Sequence, residues 1–351
     1  MRAWTHTRAG LPGEVLALST LPKPTIELST QVLVKVSYCA LNPAGSILMQ
    51  LLPFLFRRSP AIPEMDFSGT VIEVGTDIPG ERNLRPGTDV FGSVPVRQHA
   101  TSTSGALAQY VVVDHTAVTE MPDASSLVEA AGLGIAGATA LALVKAAKLR
   151  TGDSVLVNGA SGGIGHLVLQ MCRKEVGPSG KIIAVCSSSN VDWVEELCTR
   201  ETTIPDLNQP HPAKNPSFQV LDYNLHAPVH TYLAKHFGNS RFDAVLDAVG
   251  IQDMYYATPN FLAKDKPYIT VGPRAYSYTY LGMFSTIATM FKNALWPRLC
   301  GGVATPYIQV AAAANLSDMQ RLAKMVEDGT LKVHVDSCFE MEDVQKVKDP
   351  W

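Results

Sequence analysis

The stretch Ser154-Val-Leu-Val-Asn158-Gly159-Ala160-Ser161-Gly162-Gly163-Ile164-Gly165 decides the fold. Val155, Leu156 and Val157 form a short apolar run, as expected of a strand buried on both faces. Residues 151–153 ahead of it are a turn, and residues 166–174 behind it, free of Gly and Pro, read as a helix. The glycines therefore fall where a strand hands over to a helix, the context that a dinucleotide fingerprint needs. The spacing is Ala160-x-Gly162-x-x-Gly165. The first position makes a tight turn and tolerates Ala. Gly162 leaves the backbone open to a pyrophosphate, and Gly165 lets the helix pack closely on its strand. Free N–H groups and the helix dipole at that end favour phosphate. Ser161, Gly162, Gly163 and Ile164 are thus the expected phosphate cradle. Gly159-Ala-Ser161-Gly-Gly163 also satisfies GxSxG, but here it reads as overlap with the dinucleotide turn rather than as a hydrolase nucleophile elbow.

Outward from this stretch, apolar runs at 181–186, 219–222, 242–247, 268–271 and 306–310 alternate with helical segments. Such alternation predicts an α/β fold with a doubly wound parallel sheet. Residues 123–148 are Ala-rich and helical, and Thr139 on them is a candidate to face the cofactor. Residues 1–122 differ: 31–37, 67–75, 106–113 and the segment after the 85–88 turn read as short strands punctuated by Gly and Pro, as in a partly closed β-domain. Helical periodicity returns at 316–327, with Ser317 in the N-cap region and Gly329 as the stop. Residues 333–339 read as a final strand. Residues 276–296, aromatic and Met-rich, suit a pocket wall, a dimer interface, or both.

A chain of 351 residues exceeds one typical core, so two domains are expected. The net charge of −3, with scattered Lys and Arg, points away from nucleic acid and anionic membranes as main partners. The longest apolar run, 47–56, is broken by Gln50 and Pro53 and is too short to span a bilayer. None of the six cysteines forms a CxxC pair, and the N-terminus lacks an apolar signal core. Free thiols in a cytoplasmic protein are the expectation.

Taken with Leu41-Asn42-Pro43, Pro63-Glu-Met-Asp66-Phe67-Ser68-Gly69, Ala136-Gly-Ala-Thr139, Asp222-Tyr223 and Phe242-Asp-Ala-Val-Leu-Asp247-Ala-Val249-Gly250, the glycine stretch resembles the medium-chain dehydrogenase/reductase superfamily. The narrower resemblance is to its zinc-free branch of quinone oxidoreductases and fungal enoyl reductases. It implies a Rossmann nucleotide-binding domain (123–310) inserted in a partly closed, β-rich, GroES-like substrate domain (1–122 plus 311–351). It also places Asn42 and Pro43 on the cofactor side, Tyr223 at the adenosine end, and Val249, Gly250, Val271 and Gly272 around the nicotinamide through their backbones. Asp247 reads as a strand-end structural carboxylate. Three departures stand out: Ala44 replaces an Asp, residues 199–217 are an insertion, and no closing GKVV-like strand follows Asp349.

Zinc ligands of related enzymes would fall at Leu41, Met65 and near Gly134. Two of these offer no donor and Met is a poor one for zinc, so no metal is expected. The second strand of the nucleotide domain ends Val185-Cys186-Ser187-Ser188-Ser189-Asn190, without the Asp or Glu that would bind ribose hydroxyls. Ser187, Ser188 and Asn190 can donate to a 2′-phosphate, which favours NADPH; Ser189 reads equally as a turn residue serving its own backbone.

The chemistry expected is hydride transfer to an activated C=C of an enone or enoyl group, or to a quinone. Asn42 is the candidate catalytic donor to the developing enolate oxygen; as a loop Asn before Pro it also reads as a turn former. Leu48, Leu51, Leu52, Phe54 and Phe56 are wall or β-domain core; as a wall they imply apolar substrates. A homodimer is expected. Two rival roles remain open at this level: a trans-acting enoyl reductase of a polyketide-type pathway, and a nucleotide-binding scaffold without turnover.

Overall fold

The computed structural model describes residues 1–51, 58–199, 217–275, 277–296, 302–311 and 313–346. Leu52, Phe54, Phe56, Tyr276, Cys300, Asp349 and nearly all of the 199–217 insertion lie outside them. In chain order the first part holds β1 (Arg2–Thr5), α1 (Pro12–Val15), β2 (Ala17–Thr20), β3 (Gln31–Ala40), α2 (Pro43–Leu51), β4 (Asp66–Val74), β5 (Asp89–Ser93), α3 (Val96–Thr101), β6 (Tyr110–Asp114) and β7 (Val118–Glu120). Then follow α4 (Leu127–Ala130), α5 (Ile135–Ala147), β8 (Ser154–Asn158), α6 (Gly165–Val176), β9 (Lys181–Cys186), α7 (Val191–Thr199) and β10 (Phe218–Asp222). The rest comprises α8 (Val229–Phe237), β11 (Ala244–Asp247), α9 (Gln252–Ala257), β12 (Tyr268–Thr270), α10 (Tyr280–Leu295), β13 (Tyr307–Gln309) and α11 (Leu316–Glu327).

The six-stranded sheet runs β10-β9-β8-β11-β12-β13, and every pairing in it is parallel. The order reverses between β8 and β11, and ligands of such sheets bind beyond the strand ends at that reversal. Val155, Leu156 and Val157 are fully buried: helices cover both faces, so alternation gives way to a continuous apolar run. One face packs Val155 and Val157 against Leu143 of α5 and Leu167 of α6. The other packs Leu156 against Leu233, Phe242 and Tyr268. Each fully buried Leu or Val contributes about 2 kcal/mol.

The five-stranded sheet, β6-β3-β4-β5-β7, is antiparallel. Val32, Val34, Phe67, Val71, Val90 and Val113 form its core. In β4 the residues alternating with that core, Asp66 and Ser68, are also fully buried, because Asp66 meets the start of α5 and Ser68 the carbonyl of Leu127.

Two expectations are corrected. Residues 333–339 are not a ladder strand. The chain crosses α6 on side-chain bonds: just before the segment Lys332 N–H donates to Gln170 Oε1 (2.8 Å) and Gln170 Nε2 donates to Lys332 O (2.9 Å), and within it His334 N–H donates to His166 Nε2 (3.2 Å). Side-chain partners replace a strand neighbour, which period-two alternation cannot foresee. The N-cap of α11 is Asn315, whose side chain accepts from Asp318 N, and not Ser317. Leu331 and Val333 join the core around β8, while Val344 packs with Ala3 and Trp4. Residues 331–344 thus contribute to both layers.

Candidate functional site

The turn after β8 is shaped by glycine. Gly159 has φ +73°, and a side chain at Gly165 would put its Cβ 1.9 Å from Gly159 O. Only a glycine there lets α6 start against the strand. Gly163 differs: a Cβ on it meets nothing within 4 Å, and Gly162 and Gly163 are both exposed. The cradle therefore opens outward at the start of a twelve-residue helix, which fits a pyrophosphate held by backbone N–H groups. His166 at that helix's start is buried, with Nδ1 2.9 Å from Gly162 O; it is a packing residue.

The adenosine-end residues form one network. Asn190 Nδ2 donates to Ser161 Oγ (3.1 Å) and Ser187 Oγ (2.9 Å), and Asn224 Nδ2 donates to Ser188 Oγ (3.1 Å). Ser187 and Ser189 hydroxyls lie 3.1 Å apart. Tyr223 is half exposed beside them in sequence, at the end of β10. Sequence reading missed Asp222 here. The Ser188 hydroxyl and the Asn224 and Leu225 N–H groups hold its carboxyl below the usual range. Its oxygens accept from the turn that follows β10.

Asp247 is a structural carboxylate, accepting from Val249 N (2.9 Å), Gly250 N (3.0 Å), Ile251 N (3.0 Å), Asn158 Nδ2 (2.8 Å) and the Tyr268 hydroxyl. Val249 and Gly250 N–H are thus committed to the protein, and Gly250 O accepts from Arg274 N (3.0 Å). Gly272 N–H is likewise bonded to Thr270 Oγ1 (3.2 Å). Val271 packs partly buried on the sheet core. Thr139 is buried, and its hydroxyl donates to Ile135 O (2.7 Å), a bond within its own helix.

The other side of the site hangs on β-sheet register. Ala40 pairs with Asp66 across β3 and β4, so two residues further Asn42 faces Glu64. Asn42 N–H donates to Glu64 Oε2 (3.1 Å), and Asn42 Nδ2 donates to Asp66 Oδ2 (3.1 Å). Asp66 Oδ2 also accepts from Ile135 N (2.7 Å), at the first residue of α5. Since Asp66 is an acceptor there, the Asn42 amide must turn its NH2 toward it. The second N–H has only a 3.5 Å contact with Ala40 O, too long to bind it firmly. Of two donors expected from Asn42, one is spent on Asp66 and the other makes only the weaker 3.5 Å bond to Ala40 O. Pro43 begins α2, and Leu48 on that helix packs on the β-domain core.

Glu64 and Asp66 are both fully buried. Burial pushes the Glu64 carboxyl well up; the Asn42 N–H opposes this and Asp66 adds to it. Burial likewise raises Asp66 to about 6, against Ser93, Ile135 and Asn42. A carboxyl raised on folding binds more protons native than unfolded, so its stabilisation is present below the unfolded value and lost as pH rises through the folded one. The melting temperature is expected to fall between about pH 4 and pH 7, less steeply for Asp66→Asn. Calorimetry of the two proteins at matched ionic strength checks this; parallel slopes would contradict it.

Comparison with known proteins agrees with this geometry. The family model described as alcohol dehydrogenase GroES-like domain matches residues 29–123, and the one described as zinc-binding dehydrogenase matches 218–347. A medium chain reductase, pydE, from Acremonium sp is 34% identical, over 99% of this chain and 94% of that one. The chain belongs to the medium-chain dehydrogenase/reductase superfamily. Trans-enoyl reductase poxH of Penicillium oxalicum is 31% identical over 98% of this chain and 93% of its own. In fold, the superfamily member described here matches a quinone oxidoreductase from Coxiella burnetii with TM-score 0.72 at 22% identity, covering 99% and 93%. It is an oxidoreductase of a superfamily that uses NAD(P)H.

One family model's description invokes zinc. The donor chemistry here does not fit it: Leu41, Met65 and Gly134 present no thiolate, imidazole or carboxylate. Among the described residues no group of three or more His, Cys, Asp or Glu could hold a metal ion. Nor is any single described helix long and apolar enough to cross a membrane.

Proposed function

We propose that this chain is an NADPH-dependent, zinc-independent reductase of activated C=C bonds in enones or enoyl groups, or of quinones. The observation that carries this reading is Asn42: a buried amide anchored by Asp66, with its second N–H held only by a 3.5 Å bond to Ala40 O, next to the start of α5, the helix that packs on α6 behind the glycine cradle. The chemistry supplied by bound reduced nicotinamide is a hydride from C4 to the acceptor's β-carbon, which moves the π electrons onto the carbonyl oxygen. Asn42 then donates its second N–H to that oxygen, a neutral donor where charge develops. Solvent returns a proton to the α-carbon, and positioning supplies much of the rate. Ser161, Gly162, Gly163 and Ile164 would hold the pyrophosphate, and backbone groups of Val249, Gly250, Val271 and Gly272 would border the nicotinamide. Steady-state NADPH oxidation against a panel of enones, 2-enoyl thioesters and quinones tests this. Nucleotide binding without turnover on any of them would favour a scaffold.

NADPH over NADH rests on Ser187, Ser188, Asn190 and Asn224, which offer hydroxyls and amides where a 2′-phosphate would lie. Ser188→Asp is expected to weaken NADPH about tenfold or more relative to NADH, by placing a carboxylate against the phosphate. Fluorescence titration of both nucleotides reads the ratio; an unchanged ratio would remove Ser188 from the pocket.

The trans-enoyl reductases among the relatives favour one second reading, an enoyl reductase acting in trans on carrier-bound chains. Acceptance of acyl carriers and refusal of free thioesters would select it. A cytoplasmic site accords with Cys172, Cys186 and Cys198, which are free and buried. The homodimer has a candidate surface in α10, where Leu281, Phe284, Phe291 and Leu295 are exposed next to the end strand β13. Sedimentation velocity of wild type and Phe284→Glu tests it.

A further inference from the structure

The two carboxyls beneath Asn42 are costly to explain by stability alone. Glu64 and Asp66 are fully buried. None of the ion pairs among the described residues includes either. Burying carboxyl groups without a cation costs folding energy. Glu64 adds a backbone penalty, with φ at +64°, a region that side chains other than Gly rarely adopt. Among the described residues Glu64 Oε1 has no hydrogen-bond partner.

The chain also makes room for both. A Cβ on Gly45 would lie 2.1 Å from Glu64 Oε1, and one on Gly134 would lie 2.3 Å from Asp66 Oδ1. Gly45 belongs to α2, the helix that Asn42 precedes, and Gly134 is the residue before α5. So each carboxyl fills a notch at the root of one helix bordering the site. What they hold in common is one residue. Glu64 takes the Asn42 backbone N–H and Asp66 takes its side-chain N–H. Asp66 further ties that amide to the first N–H of α5.

We propose that Glu64 and Asp66 are positioning residues that together fix Asn42 for hydride transfer. One sets where the Asn42 backbone sits, and the other sets which way its amide faces. The Cys39 thiol, pushed up first by burial and then by these two carboxyls, marks them as one electrostatic neighbourhood. The inference rests on the reading of Asn42 as the donor to the acceptor oxygen.

A double-mutant cycle on kcat, with NADPH affinity measured alongside, tests it. Glu64→Ala and Asp66→Ala are each expected to lower kcat about tenfold with NADPH affinity within about twofold. Glu64→Gln keeps an acceptor oxygen for the Asn42 N–H and is expected to restore kcat to within about twofold of wild type. In an Asn42→Ala background, Glu64→Ala and Asp66→Ala are expected to cost less than about twofold more, because their target is gone. If both still cost their full factor there, the carboxyls act on structure at large and the inference is overturned alone. If Asn42→Ala turns over like wild type, the donor reading falls and takes this inference with it. Should Glu64→Ala or Asp66→Ala fail to fold, the comparison of Glu64→Gln with wild type decides: a tenfold loss in that folded variant overturns the assignment of Glu64.

Discussion

Gly165→Val is expected to abolish nucleotide binding and to destabilise the fold, whereas Gly163→Asp abolishes binding alone. The two residues sit in one turn, and their surroundings differ. At Gly165 a Cβ would stand 1.9 Å from Gly159 O and 2.9 Å from Ala160 Cα. These are backbone atoms, so relief requires pulling α6 off β8. That opens the core around Val155, Leu167 and Val168, at a cost of about 3 kcal/mol or more. At Gly163 a Cβ meets nothing within 4 Å, and the new carboxylate points to where phosphates would bind. Its expected effect is a loss of about a hundredfold or more in nucleotide affinity, with the melting temperature within about 2 °C of wild type. Calorimetry and fluorescence titration on the pair separate the two effects. Normal affinity in Gly163→Asp would place the pyrophosphate elsewhere.

Asp247→Ala has the second large effect. It strands three consecutive backbone N–H groups, those of Val249, Gly250 and Ile251, together with Asn158 Nδ2 and the Tyr268 hydroxyl. Each buried donor left without a partner costs about 1–3 kcal/mol. Solvent reaches some of them in a relaxed turn, so a total of about 4 kcal/mol is expected. Asp247→Asn keeps one carbonyl oxygen and recovers part of that. Chemical denaturation of the three proteins checks the order wild type, Asn, Ala. An Ala variant as stable as wild type would mean these donors find other partners.

How far the sequence reaches depends on the range of the interactions involved. The parallel sheet was legible because each of its strands carries its own signal. Val155 to Val157 are apolar on both faces, and the glycines behind them obey a spacing fixed by local sterics. Asp247 as a strand-end carboxylate was legible for the same reason, since three of its donors lie two to four residues away. The segment 333–339 was misread because Gln170 and His166, the partners of Lys332 and His334, lie on a helix far back in the chain. The supports of Asn42 were missed likewise. Glu64 and Asp66 are 22 and 24 residues from it, joined by the β3–β4 register. One signal did exist: two acids at period two, flanking Met65 and followed by Phe67, fall on a strand with apolar neighbours. Acids in that pattern require partners. Asp222 beside Ser188 was hidden because β9 and β10 are joined through the long insertion.

The most direct test follows the hydride. NADPH carrying deuterium at C4 is incubated with the purified protein and a conjugated enone, and the product is examined by NMR. Deuterium is expected at the β-carbon and solvent hydrogen at the α-carbon, with Asn42→Ala slowing the transfer and leaving the label's position unchanged. Deuterium on the carbonyl carbon, giving an allylic alcohol, would contradict the account, because it would require a site that activates the carbonyl for direct reduction.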